Sequence, residues 1–499
     1  MDSDALGAGT RLAGGPTDAL AASAFSAELL AAETLHPWMY FSDMAHVAAL
    51  HRGRYVSKST ALTLADGLRT LKGMHFSEIS WDPYLGDVYN NRDVILRKEV
   101  GEVDAGFLST GRSRRESMTV AWSLATRDGV ASLYRSVQAA ASAIVSTAEE
   151  HVTTVTVDQT YLQHAHPTTL GHYLLGFASP LIRSLQRLSS IIETLDSCPA
   201  GVGSVNGSRL DLGREFQSEL LGWSRPFAHV RDAMWAPDIP VSVASEVVNS
   251  LTAVDRLAEE LLIWSTAEYG LLELNDGHSR ASVVMPQKKN PYGLAYLRGL
   301  CRRSLGELTG LAASQLSVSG QPDSRMLAYE SLVPSLHRAA NGLDLFAEIL
   351  MRSSFDVEKM AALAEDPLVA ATDVCDFVSV EYGVPNRLVH KVVGSSVRHA
   401  LESDPGRALT AEALAEAAER LSVPWPKVDE DALGKARSLS GILGSRGGDG
   451  EAAPEAVKRL CVEYRERLGT EPATLSRWEN AIQNFDRRIS ELMENSDVV

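Results

Sequence analysis

The stretch Leu170-Gly171-His172-Tyr173-Leu174-Leu175-Gly176-Phe177-Ala178-Ser179-Pro180-Leu181-Ile182-Arg183-Ser184-Leu185-Gln186-Arg187-Leu188-Ser189-Ser190-Ile191-Ile192-Glu193-Thr194-Leu195 carries large apolar residues at 174, 177, 181, 185, 188, 192 and 195. Steps of three and four repeat one face of an α-helix, so the spacing predicts a single long buried stripe. Pro180 falls inside it while the stripe keeps its phase on both sides, which predicts a kinked helix rather than two helices. The same spacing returns at Val247, Leu251, Val254, Leu257 and Leu261, at Leu294, Leu297, Cys301, Leu305 and Leu308, and again from Leu327 to Met351. Helices of this length, with few strand patterns between them, predict an all-α chain built on an elongated bundle. Such a bundle has apolar surface on more than one side, which predicts oligomerisation through the helices.

Outward from these stripes the pattern changes. Residues 1 to about 25 read as loosely ordered, an amphipathic pattern runs from 27 through 68 with His46 and His51 on its flank, and another helical stretch covers Arg92 to Val100. Beyond Asp366 the helices shorten, Gly383-Val384-Pro385 interrupts them, and residues 441 to 454 contain five glycines, the composition of a mobile segment. The expected division is an N-terminal helical domain (1–110), a central long-helix bundle (111–365) and a small C-terminal helical domain (366–499).

With 499 residues, 45% apolar and 22% charged, the composition is that of a soluble globular protein able to bury a large core. A formal charge of −17 argues against binding nucleic acid or an anionic membrane over the general surface, while leaving room for a local basic pocket. Cys198, Cys301, Cys375 and Cys461 form no ligand or disulfide spacing, so neither a metal nor a disulfide framework is expected. Asp2 and Asp4 stand where a signal peptide would carry positive charge, and no apolar run is long enough to span a bilayer. A cytoplasmic protein without cofactor is expected.

Three polar clusters stand against this scaffold. Ser279-Arg280-Ala281-Ser282-Val283-Val284-Met285-Pro286-Gln287-Lys288-Lys289-Asn290-Pro291 sets a hydroxyl, two lysines and an amide just before an apolar helix, with Asn290 expected as N-cap and Pro291 as the first helical residue. The helix start adds partial positive charge to that of the lysines, a setting for a carboxylate. Thr110-Gly111-Arg112-Ser113-Arg114-Arg115-Glu116 offers forked donors suited to carboxylates. The third cluster is Thr160-Tyr161-Leu162-Gln163-His164-Ala165-His166-Pro167, immediately before the kinked helix.

The first cluster resembles the signature loop of the fumarase/aspartase superfamily, in the Met-Pro-Gln-Lys-Lys-Asn-Pro form of the argininosuccinate lyase branch. Thr110 to Arg114 matches that branch's T-G-R-S-R-N, and Thr160 to Pro167 is similar to its T-H-L-Q-R-A-Q-P. Residues 371–377 with Gly383-Val384-Pro385, and the glycine-bearing loop ahead of Pro454, resemble its C-terminal domain. The resemblance implies a homotetramer whose active sites each gather the three clusters from three subunits. It also implies elimination of an amine or guanidine from an N-substituted aspartate to leave fumarate. On that basis Ser282 is the general base, Tyr161 takes a catalytic position, and Ser113, Arg114, Arg115, Thr160, Lys288 and Asn290 bind a dicarboxylate-type substrate.

Several positions depart from the branch. Its Gly-Ser-Ser is here Ala281-Ser282-Val283, which stiffens the loop. Two family histidines become Tyr161 and Tyr89, moving the reference pKa from about 6.5 to about 10. The asparagine after S-R becomes Arg115, and the stretch Y-N-K-D-L-Q-E-D-K, which helps hold the amino-acid end of argininosuccinate, has no recognisable counterpart in residues 315–325, where Asp323 or Arg325 falls near its lysine. The succinyl half of the pocket is largely kept and the leaving half altered, which predicts a shifted leaving group. The competing expectation is a catalytically silent structural or regulatory homologue; retention of Ser282, Lys288, Asn290 and Thr160 favours activity.

Overall fold

The computed structural model of the chain describes residues 11–12, 14–321, 323–402 and 409–494, without the side chains of 323 and 324. Five long helices form its centre: α4 (Arg114–Glu150), α5 (Leu170–Leu195), α6 (Asp238–Trp264), α7 (Tyr292–Ser314) and α8 (Asp323–Arg352). Ahead of them lie α1 (Ala32–Arg52), α2 (Lys58–Gly73) and α3 (Val88–Val100). The stripe that predicted α5 is buried, with Leu174, Leu181, Leu188 and Ile192 at most 1% exposed, and the helix runs unbroken through Pro180.

Contacts fix the direction of each helix. In α5 and α6, Tyr173 meets Trp264 while Arg187 meets Glu246, so the two run antiparallel. Glu259 pairs with Arg298 and Thr252 contacts Cys301, so α7 reverses α6; Gly293 lies against Ile349 and Gly310 against Leu327, so α8 reverses α7. The helices α4 and α8 run parallel, from the Thr119–Tyr329 hydrogen bond at 2.9 Å to the His151–Phe355 ring contact at the far end. The bundle therefore has a lower end, where α4, α6 and α8 begin, and an upper end, where they finish.

The helix α4, 37 residues long, was not marked by an apolar stripe. Its inner positions are mostly small: Ser117, Thr119, Ala121, Ala125, Thr126, Gly129, Ala140 and Ala141 are all buried. They let neighbouring helices approach closely, and a Cβ at Gly129 would stand 2.9 Å from Leu336 Cδ1.

Four local expectations are corrected. Of the N-terminal stretch read as loosely ordered, residues 1–10 and 13 lie outside the described residues, but Asp18–Leu29 is helical, with Thr17 capping its first turn. His46 is fully buried rather than flanking: Nε2 donates to Thr110 O at 3.1 Å, holding the turn before α4, and burial keeps the imidazole well below its usual pKa. The third polar cluster is a hairpin, β1 (Val155–Thr160) with β2 (Gln163–Thr169), turning through Tyr161 and Leu162 at φ 56° and 59°. The β-branched Val155 and Thr156 facing Thr169 and Thr168 suit paired strands, and two residues of positive φ suit a two-residue turn. Finally, α7 starts one residue later than expected, with Pro291 as N-cap. Asn290 instead sits on β4 (Lys289–Asn290), paired with β3 (Arg280–Ala281), and its side-chain amide donates to Arg280 O at 2.8 Å.

One hydrophobic core fills the bundle and a second joins α1 and α2 to the start of α4. A third, small core is built from residues 370–442, including α9 (Ala371–Tyr382), α10 (Asn386–Leu401) and α11 (Ala411–Arg420). Residues 454–494 stay out of it: Val457, Cys461 and Trp478 return to the bundle core, and Phe485 and Ile489 to the second. The span 366–499 thus serves three cores, because the apolar faces of its last helices match the sides of the bundle.

Candidate active site

At the lower end, α4 opens with Ser113 as N-cap. Its Oγ accepts from Glu116 N at 3.2 Å while its own backbone N–H donates to Gly203 O at 3.0 Å. The Glu116 carboxylate accepts the Gly201 N–H at 2.6 Å and the Gly203 N–H at 2.5 Å, tying the 201–203 turn to the helix start. Burial pushes this carboxyl up to about 7, against the pull of Arg112 and the backbone N–H groups.

The three arginines divide by role. Arg112 is buried and donates to Asp43 Oδ1 at 2.8 Å, an oxygen that also accepts from Ser117 Oγ at 2.8 Å, while Arg92 reaches Asp43 Oδ2 at 3.3 Å. A guanidinium so enclosed braces the fold and meets no substrate. Arg115 is mostly covered and pairs with Glu28 at 3.1 Å. Arg114, paired with the fully buried Asp87, keeps 42% of its side chain exposed and is the arginine of the three that faces out. Tyr89 is buried close by, and burial pushes its phenol up to about 12, so it stays protonated.

At the upper end stand the hairpin tip and the signature loop. Tyr161 is 99% exposed, and Thr160 beside it is exposed as well. Within the loop, Ser282 N–H donates to Lys288 O and Lys288 N–H to Met285 O, so the chain folds back on itself above the β3–β4 pair. Ser282 Oγ accepts the Met285 N–H at 3.0 Å. A donor of that kind stabilises the oxygen more as its charge grows, which favours the alkoxide. Lys289 is taken up by Asp276 at 2.7 Å and Glu273 at 3.5 Å, and the Asp276 hydrogen bond holds its pKa above the usual value. Lys288 is exposed, its ammonium has no hydrogen bond or ion pair among the described residues, and its backbone carbonyl accepts the Ser282 N–H.

The lower cluster (Ser113, Arg114, Arg115) and the upper ones (Thr160, Tyr161; Ser282, Lys288, Asn290) are held apart by the length of α4, about 55 Å at 1.5 Å per residue. One chain does not bring them together. The hairpin and the signature loop share an end, but no hydrogen bond or ion pair joins them among the described residues.

A family model described as Lyase matches residues 90–306. Argininosuccinate lyase of Methanoculleus marisnigri is 32% identical over 90% of this chain and 91% of its own length. That of Mycolicibacterium gilvum is 33% identical over 90% and 94%. The chain belongs to the argininosuccinate lyase family. It is accordingly a carbon–nitrogen lyase. Among solved structures, an EDDS lyase variant with bound fumarate superposes with a TM-score of 0.83 at 24% identity, covering 96% of each chain. Class II fumarase from Schistosoma mansoni superposes with a TM-score of 0.68 at 16% identity, over 82% of this chain and 91% of that one. Both likenesses are of fold.

Family membership leaves unexplained several residues that the sequence reading did not single out. Asp43, Asp87 and Glu28 each pair with one of the cluster's arginines, yet they come from distant segments with no motif of their own, and Glu116, at the cluster's own edge, anchors the 201–203 turn. Among the described residues no helix is long and apolar enough to cross a membrane, and no group of three or more His, Cys, Asp or Glu is arranged to hold a metal ion.

Proposed function

We propose that the protein cleaves the carbon–nitrogen bond of an N-substituted aspartate, argininosuccinate or a related succinyl compound, and releases fumarate. The observation that carries this reading is the Ser282 hydroxyl, half-buried in a loop with a backbone donor on its oxygen, its backbone N–H bonded to the carbonyl of the exposed Lys288. The proton next to a carboxylate is very weakly acidic, so its removal needs both a base within reach and fixed donors for the doubly charged intermediate. Ser282 takes the proton; the field of Lys288, the Met285 N–H and the start of α7 lowers the cost of its alkoxide. Lys288, Thr160 and the second amide hydrogen of Asn290 receive the carboxylate charge, and Ser113 and Arg114 bind the other end of the succinyl unit. Arg115, fixed by Glu28, forms the wall behind them. Collapse of the intermediate expels the nitrogen, with Tyr161 as proton donor.

A separation of about 55 Å within one chain requires that lower and upper ends come from different copies, which supports a homotetramer with sites at the junctions of three subunits. The exposed Tyr161, Val283 and Val284 are then covered by neighbouring subunits or by substrate. The EDDS lyase variant that shares this fold and holds bound fumarate supports fumarate as the product. The mismatches around Arg115 and residues 315–325 favour a leaving group other than that of argininosuccinate.

The test is to incubate purified protein with argininosuccinate and with other N-substituted aspartates and to follow fumarate by its ultraviolet absorbance. Ser282→Ala is expected to lower turnover by about 10²–10⁴-fold, the range for loss of a general base. Turnover unchanged in Ser282→Ala removes the base assignment, and no fumarate from any substrate favours the silent homologue.

A further inference from the structure

The hairpin that carries Thr160 and Tyr161 changes character halfway along. Thr156, Val157, Pro167, Thr168 and Thr169 are buried, whereas Thr160, Tyr161, Leu162, Gln163 and His164 are exposed. Val157 faces Pro167 and Gln159 faces His164, so β1 advances two residues while β2 advances three, and the extra residue forms a bulge at Ala165–His166 opposite Asp158. A bulge bends its strand and sets the direction in which the residues beyond it point. The turn past the bend is strained: Tyr161 and Leu162 hold φ 56° and 59°, a region that suits glycine or asparagine, and such a turn persists only while the strands beneath it are fixed.

One side chain from outside fixes the bend. Arg446 follows the short helix Leu439–Ser445, whose Ile442 belongs to the small third core. Its Nη1 donates to Pro167 O at 2.9 Å, and its Nη2 stands 3.5 Å from His166 Nδ1. The same Nη2 donates to both carboxylate oxygens of Asp373 on α9, at 2.8 and 3.0 Å. Among the described residues no other group from outside the hairpin hydrogen-bonds residues 157–167. Beneath the bend lies a cavity of about 810 Å³ with Asp158, Thr168, Asp373, Phe377 and Arg446 in its wall, so the guanidinium spans a gap rather than a packed seam. Its own segment is tethered in turn: Ala453 N–H donates to Arg446 O at 2.9 Å, and Arg459 donates to Gly447 O at 2.9 Å.

We propose that Arg446, oriented by Asp373, is a positioning residue: it sets the bend of the hairpin and with it the place at which Thr160 and Tyr161 meet the substrate. The proposal rests on the lyase reading and adds to it a role for the small core, which serves the site through one guanidinium without lining it. Arg446 grips the hairpin at the root of its exposed half, so loosening it moves the tip and leaves the buried base in place. A reacting group displaced by ~1 Å costs about 10²-fold in rate. A tip set slightly wrong therefore lowers turnover while the substrate carboxylates still find Lys288 and Arg114.

The experiment uses the full-length protein and follows fumarate release from argininosuccinate, N-methylaspartate and N-carboxymethylaspartate, continuing with whichever the wild type cleaves fastest. Arg446→Met is expected to lower kcat at least tenfold with KM within threefold of the wild-type value, and Arg446→Lys, which keeps the charge, is expected to fall between. In a Tyr161→Phe background the same Arg446→Met change is expected to cost threefold or less, because the proton donor it positions is already gone. Hydrogen exchange of residues 155–167 is expected to quicken at least tenfold in Arg446→Met, with α4, α5 and α6 unaltered. An equal kcat loss in both backgrounds, or unaltered exchange in the hairpin, overturns the positioning role. If Arg446→Met fails to fold, Asp373→Asn carries the same test: a kcat loss that shrinks in the Tyr161→Phe background supports the role, and an undiminished one overturns it. Wild type that cleaves a substrate while Arg446→Met keeps full kcat retains the lyase reading and loses the role. Wild type that cleaves none of the three loses both.

Discussion

The two ends of the bundle are made differently. At the lower end most charged groups are enclosed and paired: Asp43 serves Arg92, Arg112 and Ser117, and Glu116 holds two backbone N–H groups of the 201–203 turn. At the upper end Tyr161, Val283, Val284 and Lys288 stand in solvent, and the signature loop is held by a few backbone bonds and the Asn290 amide. A region that satisfies its own polar groups is a finished frame, whereas one that leaves a base, an ammonium and apolar side chains exposed is completed by something outside the chain. Damage to the enclosed groups of the lower end should therefore register as lost stability, and damage to the upper end, or to the outward-facing Arg114, as lost activity.

The largest departure expected is at the frame. Asp43→Ala strands two buried guanidinium groups, and breaking a buried pair costs about 3–5 kcal/mol. Chemical denaturation should show that loss; a change below about 1 kcal/mol would mean that the lower end is not the rigid partner in the comparison.

Next is a pH effect. Glu116 has a folded pKa of about 7 against an ordinary value of 4.5, so the native state holds the extra proton between these values. Its contribution to stability is full below about pH 4.5 and lost as pH rises through about 7, a swing of about 3 kcal/mol at 1.4 kcal/mol per unit. Unfolding free energies from pH 4.5 to 8 should fall more steeply for wild type than for Glu116→Gln; parallel curves would show that Glu116 does not titrate in this window.

The smallest stability effect belongs to the upper end. Tyr161→Phe, at a side chain 99% exposed, should change stability by no more than about 0.5 kcal/mol while lowering fumarate release. A thermal midpoint that moves with intact turnover would reverse the assignment of the two ends.

How much of this could be read from residues alone depended on side-chain size and on sequence distance. The helices α5 to α8 were legible because Leu, Ile and Val mark their inner faces at helical spacing. The longest helix, α4, was not, because close packing there demanded Ala, Ser, Thr and Gly, which carry no apolar signal. The hairpin at Thr160 is masked because polar residues dominate its turn and second strand, and the Val-Thr-Val alternation before them is only three residues long. The arginine cluster was found, but not its division of labour: whether Arg112, Arg114 or Arg115 faces out is decided by Asp43, Asp87 and Glu28, from 27 to 87 positions away. Pairing across such distances leaves no local trace.

The central claim is that a working site joins the upper end of one chain to the lower end of another. Two full-length variants, each inactive alone, test it: Ser282→Ala, which removes the base from the upper end, and Arg114→Ala, which removes the exposed guanidinium from the lower. Co-refolded so that mixed oligomers form, the pair is predicted to regain fumarate release, because some junctions then combine an intact Ser282 from one subunit with an intact Arg114 from another. Mixed oligomers that remain as inactive as either parent would contradict the account.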